Sequence, residues 1–238
     1  MCDGRARGQD GVMRRSRIVV AVVLAALAAL VGGVVFAYPS VAASTCPSCY
    51  GLREVADGVH ADPGLDERRI VELVRAAEKR VADFYGGRRG TTRVLACSSE
   101  KCYSRIGGGK EKGIAVLNRT VMLSPRGLDV VIASHELSHV ELRARLEAEV
   151  PQWFDEGLAV VVAGDRRYLT PEGGCLVEPT GPQPATLEAW LKADPGKYGR
   201  AACEVSRWLA ANGGRDGLLR LVERANHGTE ITQLLGRE

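Results

Sequence analysis

Residues 135–139 read His135-Glu136-Leu137-Ser138-His139, an H-E-x-x-H run in a chain with only four histidines. On a helix, positions i and i+4 project from one face, so both imidazoles can grip a single ion. Neutral imidazole is a good zinc ligand. Glu136 lies between them, where it can take a proton from a water on the metal. The spacing therefore predicts a zinc-dependent hydrolase, with a peptide or protein as the expected substrate.

A catalytic zinc takes three protein ligands and keeps one position open. The long metzincin form would place a glycine and a third histidine where this chain has Leu142 and Arg145, so that form is excluded. The other common solution is a glutamate from a second helix. Downstream stands Pro151-Gln152-Trp153-Phe154-Asp155-Glu156-Gly157-Leu158-Ala159. Proline suits a helix start, and the apolar run from Leu158 to Ala163 buries that element. Glu156 is the expected third ligand. Glu141, Glu147 and Glu149 read as solvated helix charges.

The two segments together, over about residues 128–165, resemble the gluzincin metallopeptidases, and among them the peptidase MA-like bacterial domains with paired H-E-L-x-H and W-x-x-E-G-x-A motifs. The resemblance implies an α+β, zincin-like fold. It would have a small mixed sheet, an active-site helix under its edge strand and a helical C-terminal part. It implies one zinc ion on His135, His139 and Glu156, with Glu136 as general base. It also nominates the strand between Gly113 and Ser124 as a rail for a peptide substrate. Because C-terminal helices face the cleft in related folds, Tyr198 and His227 are candidates for a second donor to the oxyanion. A carboxylate that orients a ligand histidine would be expected a turn after Glu156, where this chain has Val160. Asp155, adjacent to Glu156, is expected to face elsewhere.

The elements that must position these residues follow from periodicity. Leu65 to Tyr85 carries a helical stripe stopped by Gly86-Gly87. Thr91 to Cys97 reads as a strand and Cys102 to Gly113 as a loop near the cleft. The Gly107-Gly108-Gly109-Lys110 run in that loop lacks the Ser or Thr of a phosphate-binding loop. Gly113 to Ser124 reads as a strand, with a hairpin break at Asn118-Arg119 as the alternative. Asp129 starts the active-site helix, expected to be amphipathic. Residues 166–196 meander around a short helix at Leu187 to Leu191. Helices follow at Tyr198 to Ala211, Gly217 to Ala225 and about Glu230 to Leu235.

Residues 1–17 carry five arginines, and 18–38 are almost wholly apolar. At 1.5 Å per residue this run spans ~31 Å, close to the ~30 Å hydrocarbon core of a bilayer. Positive charge stays inside, so a single-pass anchor with an exported domain is expected. The alternative is a signal peptide cleaved near Ala43, which would leave a secreted or periplasmic protein. Residues 39–64 read as a linker, and 65–238 as the metallopeptidase domain. Beyond the apolar run lie six cysteines, an even number that suits bridges in an oxidising compartment. Proximity suggests Cys46 with Cys49, Cys97 with Cys102, and Cys175 with Cys203.

Net charge is +3 with the arginines dispersed, and aromatics are few, so no nucleic-acid surface is expected. Three rival functions are left by the sequence: a zincin-fold binding module without turnover, an exported thiol–disulfide protein using Cys46 and Cys49, and a zinc hydrolase acting on a non-peptide amide.

Overall fold

The computed structural model describes Val23, Gly33 and residues 37–236, save Val177 and Pro179. The expected anchor at 18–38 therefore lies almost entirely outside the described residues. Among the described residues, no helix is long and apolar enough to cross a membrane.

The fold is α+β. Five short strands form one mixed sheet in the order β1-β2-β3-β5-β4: β1 Arg53–Ala56, β2 Val59–Ala61, β3 Arg93–Ala96, β4 Gly113–Val116 and β5 Thr120–Leu123. β2, β3 and β5 run parallel, and the outer strands β1 and β4 are antiparallel to their neighbours. Side chains alternate across a sheet, and here the alternation divides two cores. Val94, Ala96, Val121 and Leu123 face the main core. Leu95, Cys97 and Met122 face a smaller one beneath α1 (Pro39–Thr45) and α3 (Glu100–Arg105).

Residues 39–64 are thus not a linker. They hold α1 and the β1–β2 hairpin, which supplies one edge of the sheet. Their strands are too short for a clear period, and pairing with β3 orders them. The expected loop after Cys102 likewise contains most of α3, capped by Ser99, whose side chain accepts from Cys102 N. The three disulfides are Cys46–Cys49, Cys97–Cys102 and Cys175–Cys203, as proximity suggested.

α2 (Glu67–Tyr85) crosses over from β2 to β3. It buries Ile70, Leu73, Val74, Ala77, Val81 and Tyr85, starts at Asp66, which accepts from Arg69 N, and stops at Gly86 with φ 74°. The reversal between β4 and β5 is a hairpin whose left-handed residues are Leu117 and Asn118, one position earlier than expected. An exposed leucine in that region costs roughly 1–2 kcal/mol.

α4 (Val130–Arg143) carries the H-E-x-x-H run and is capped by Asp129, which accepts from Val131 N at 2.7 Å. It is not amphipathic. Ala133, Ser134, Glu136, Leu137, Ser138, Val140, Glu141 and Leu142 are all buried, because α2, α5 (Gln152–Ala163) and the β4–β5 hairpin enclose it. A helix covered on several sides loses its single apolar stripe. The C-terminal part consists of α6 (Leu187–Lys192), α7 (Lys197–Asn212), α8 (Gly214–Asn226) and α9 (Ile231–Leu234). α7 packs closely on α5 at Gly157, where an added Cβ would come within 2.6 Å of the Ala201 carbonyl carbon.

Candidate metal centre

His135 and His139 stand one turn apart on α4, their rings 4.9 Å apart and nearly perpendicular. α5 crosses this face and brings in Glu156, whose Oε2 lies 3.2 Å from His135 Nε2 and 3.8 Å from His139 Nε2. One ligand atom from each residue falls within 4.8 Å of the others, an arrangement that could hold a metal ion. Tetrahedral sites with ligand bonds of about 2.0–2.2 Å place their donor atoms roughly 3.3 Å apart. The two spacings from Glu156 Oε2, 3.2 and 3.8 Å, lie close to that value. All three residues are largely but not wholly covered, at 12–15% side-chain exposure, so the centre remains open on one side.

The remaining atoms of these residues are held in place. Gln152 Nε2 donates to Glu156 Oε1 at 3.1 Å, while Oε2 faces the two imidazoles. Asp155 Oδ1 lies 2.9 Å from His139 Nδ1, and Arg143 Nη2 lies 3.7 Å from the other Asp155 oxygen. Asp155 was expected to face elsewhere, and the structure corrects this. An imidazole carries its two nitrogens on different sides of the ring, so the helix neighbour of the ligand glutamate reaches the far nitrogen while Glu156 faces the near one. A carboxylate at that position fixes the tautomer and the direction of the ring. Val160, where such a group was sought, is buried among apolar residues.

Burial pulls the His139 pKa down, but the charge and hydrogen bond of Asp155, with Glu156 and Glu136 behind it, push it up to about 10 in the metal-free protein. Burial raises the carboxyls of Asp155 and Glu156, yet the facing imidazoles hold both below their ordinary values. Glu136 behaves differently. Burial pushes its carboxyl up, and the charges of His135 and His139 only partly offset it. It accepts a hydrogen bond from the backbone of Ala115. Edge strand β4 approaches this closely because residue 113 is glycine: a Cβ there would sit 2.8 Å from Glu136 Cγ.

The structure brings Tyr198 beside the centre, its ring 6.2 Å from that of His135. Tyr168 stacks on it at 5.8 Å and Trp190 meets it edge-on at 5.0 Å. Burial raises its pKa, so the phenol stays protonated. His227 is not part of this site. It is exposed, and its Nδ1 bonds the Glu223 carbonyl of its own helix.

Glu141 is also corrected. It is fully buried rather than solvated, accepting from Arg89 N at 2.7 Å, Gly90 N at 3.1 Å and Arg145 Nε at 2.8 Å. Glu147 and Glu149 are exposed as expected, but they lie in the connection between α4 and α5 rather than on a helix. A second group with ligand-type atoms, Asp62 with Cys97 and Cys102, has its cysteines joined in a disulfide. The Cys46–Cys49 pair follows a short helix and sits in a 3₁₀ turn (Pro47–Tyr50), outside the strand-to-helix frame that a thioredoxin-like dithiol needs.

No family model, curated protein or solved structure matches the chain.

Proposed function

We propose that the chain is a zinc-dependent peptidase of the gluzincin type, with a zincin-like fold. The observation that carries this reading is the convergence of His135, His139 and Glu156 with Glu136 alongside on the same helix. Imidazole and carboxylate donors in a three-plus-open arrangement suit zinc.

Zinc held there would supply Lewis acidity, polarising the substrate carbonyl and lowering the pKa of an attacking water. Glu136 accepts the water's proton and passes it to the leaving amine. Its raised pKa makes it a stronger base than an exposed glutamate. Asp155 holds the Nδ1 proton of His139, so that Nε2 presents its lone pair to the ion. Tyr198, kept neutral by burial, donates to the oxygen that gains charge in the transition state. A peptide added along the free edge of β4 would lie beside Glu136.

Three disulfides favour an oxidising compartment. We place the catalytic domain outside the cytoplasm, held by the apolar segment at 18–38 or released from it.

The test is metal analysis of the purified chain together with proteomic mapping of cleaved peptides, with and without chelator. One equivalent of zinc and chelator-sensitive cleavage are expected. A chain without zinc, or cleavage indifferent to both chelation and Glu136→Gln, refutes the reading.

A further inference from the structure

Next to the metal ligands runs a separate groove of about 660 Å³, bounded by the start of α4, the Lys112 end of β4 and the turn after α5. Five cations line it: Arg80, Lys112, Arg126, Arg166 and Arg167. Its two acids are already engaged. Asp129 caps α4, and Asp165 accepts the guanidinium of Arg167. Arg126 pairs with Glu100, and Arg80 Nη1 donates to the Ala163 carbonyl. Lys112 and Arg166 are exposed and have no ion pair among the described residues.

The groove lies beside the metal centre, with Gly113 between them. A Cβ built on Gly113 would lie 3.2 Å from Ile132 Cγ2, in the groove wall, and 2.8 Å from Glu136 Cγ. Gly164 and Asp165, also in the wall, follow immediately on α5, the helix that carries Glu156. A chain lying along β4 past Glu136 therefore runs on into a region of unneutralised positive charge. Side chains on one face of an extended peptide recur every ~6.6 Å. Lys112, the residue before Gly113, thus meets a side chain a few positions from the bond above Glu136.

We propose that this groove selects peptide substrates carrying aspartate or glutamate on one side of the cleaved bond, with Lys112 and Arg166 as the charges that read them. The proposal rests on the peptidase reading of the metal centre. The chemistry favours an acidic peptide over a nucleic acid, because the lining has no aromatic side chain for base stacking and only two uncommitted cations. Opposite charges there improve binding and suppress basic competitors.

The binding test uses the Glu136→Gln chain loaded with zinc, so that it does not depend on turnover. Fluorescence anisotropy would compare peptides of one length bearing Asp/Glu, Gln/Asn or Lys on either side of a fixed apolar centre. For one of the two placements, the acidic peptide should bind about three- to tenfold tighter than the neutral one, and the lysine peptide weaker still. The preference should fade with added salt and invert when Lys112→Glu and Arg166→Glu are combined. If that pair lowers the thermal midpoint, Lys112→Gln with Arg166→Gln should abolish the preference without inverting it. Equal binding of acidic and lysine peptides, or an unchanged preference in the neutral variant, overturns the proposal. So does tighter binding to phosphatidylglycerol vesicles or inorganic phosphate than to the acidic peptides. A wild type that cleaves nothing would refute the peptidase reading alone, since the binding ranking is read independently.

Discussion

Helix α4 carries two buried glutamates little more than a turn apart, Glu136 and Glu141, and their surroundings differ completely. Glu141 is fully buried and takes hydrogen bonds from two backbone N–H groups and from Arg145, with Arg88 Nε at 3.8 Å. Both of its carboxylate oxygens accept from donors of this same chain. Glu136 has one backbone donor and two imidazoles near it, and a carboxyl pushed above its usual pKa. A buried charge that is fully paired fastens the structure; one left with spare capacity beside an open face is available to react. Burial alone does not separate the two, but the count of internal partners does.

The sharpest way to break this comparison is to neutralise each acid in turn. Glu136→Gln should keep the fold and the zinc while turnover falls by about 10²–10⁴-fold, measured as kcat on any cleaved peptide. Glu141→Ala should do the reverse. It removes the one carboxylate paired with Arg145 and leaves the Arg89 and Gly90 N–H groups without their acceptor, so denaturant titration should read a loss of about 3–5 kcal/mol. Zinc stoichiometry at low temperature should be unchanged. If Glu141→Ala removes the metal before it removes the fold, the division between the two acids is wrong.

A smaller effect is expected one residue from the ligand glutamate. Asp155→Asn keeps the shape but not the charge behind His139, and competitive chelation should show zinc affinity lowered by about 10–100-fold.

The smallest expected effect is on the pH dependence of the metal-free protein. The His139 pKa is raised from 6.5 to about 10, so this group's contribution is complete below pH 6.5 and is lost as pH rises toward 10. The Asp155 pKa is depressed from 3.8, so its contribution is present above that value and lost as pH falls below it. The apo protein should therefore lose stability on both sides of the interval from 3.8 to 6.5 through this pair. Thermal melts in chelator should show the alkaline loss in wild type and a flatter curve in Asp155→Asn. Because zinc must displace the His139 proton, binding in weak buffer should also release a proton.

Much of the site could be read from the chain because its spacing is local. His135 and His139 share a helix face by geometry, and Glu156 stands at the start of a second helix. The Cys46–Cys49 and Cys97–Cys102 pairs and Asp129 as a cap were legible for the same reason, and Cys175–Cys203 followed as the remaining pair. Asp155 was not, because its role depends on which nitrogen of His139 the second helix meets, and that is set by the crossing of α4 and α5. The burial of Glu141 was not legible because two of its partners, Arg89 and Gly90, lie some fifty residues away. Residues 39–64 looked like a linker because two strands of three and four residues show no period until β3 pairs with them. The basic groove draws its charges from α2, the residue before β4, the turn before α4 and the turn after α5, segments that no single stretch of sequence places together.

Gly157 has a mechanical consequence. With no side chain there, the backbones of α5 and α7 touch, and α7 carries Tyr198. That contact sets the spacing between the helix that carries Glu156 and the helix that carries Tyr198. A methyl group at position 157 would pry the two helices apart, and the phenol would lose its station even though every ligand remained in the chain.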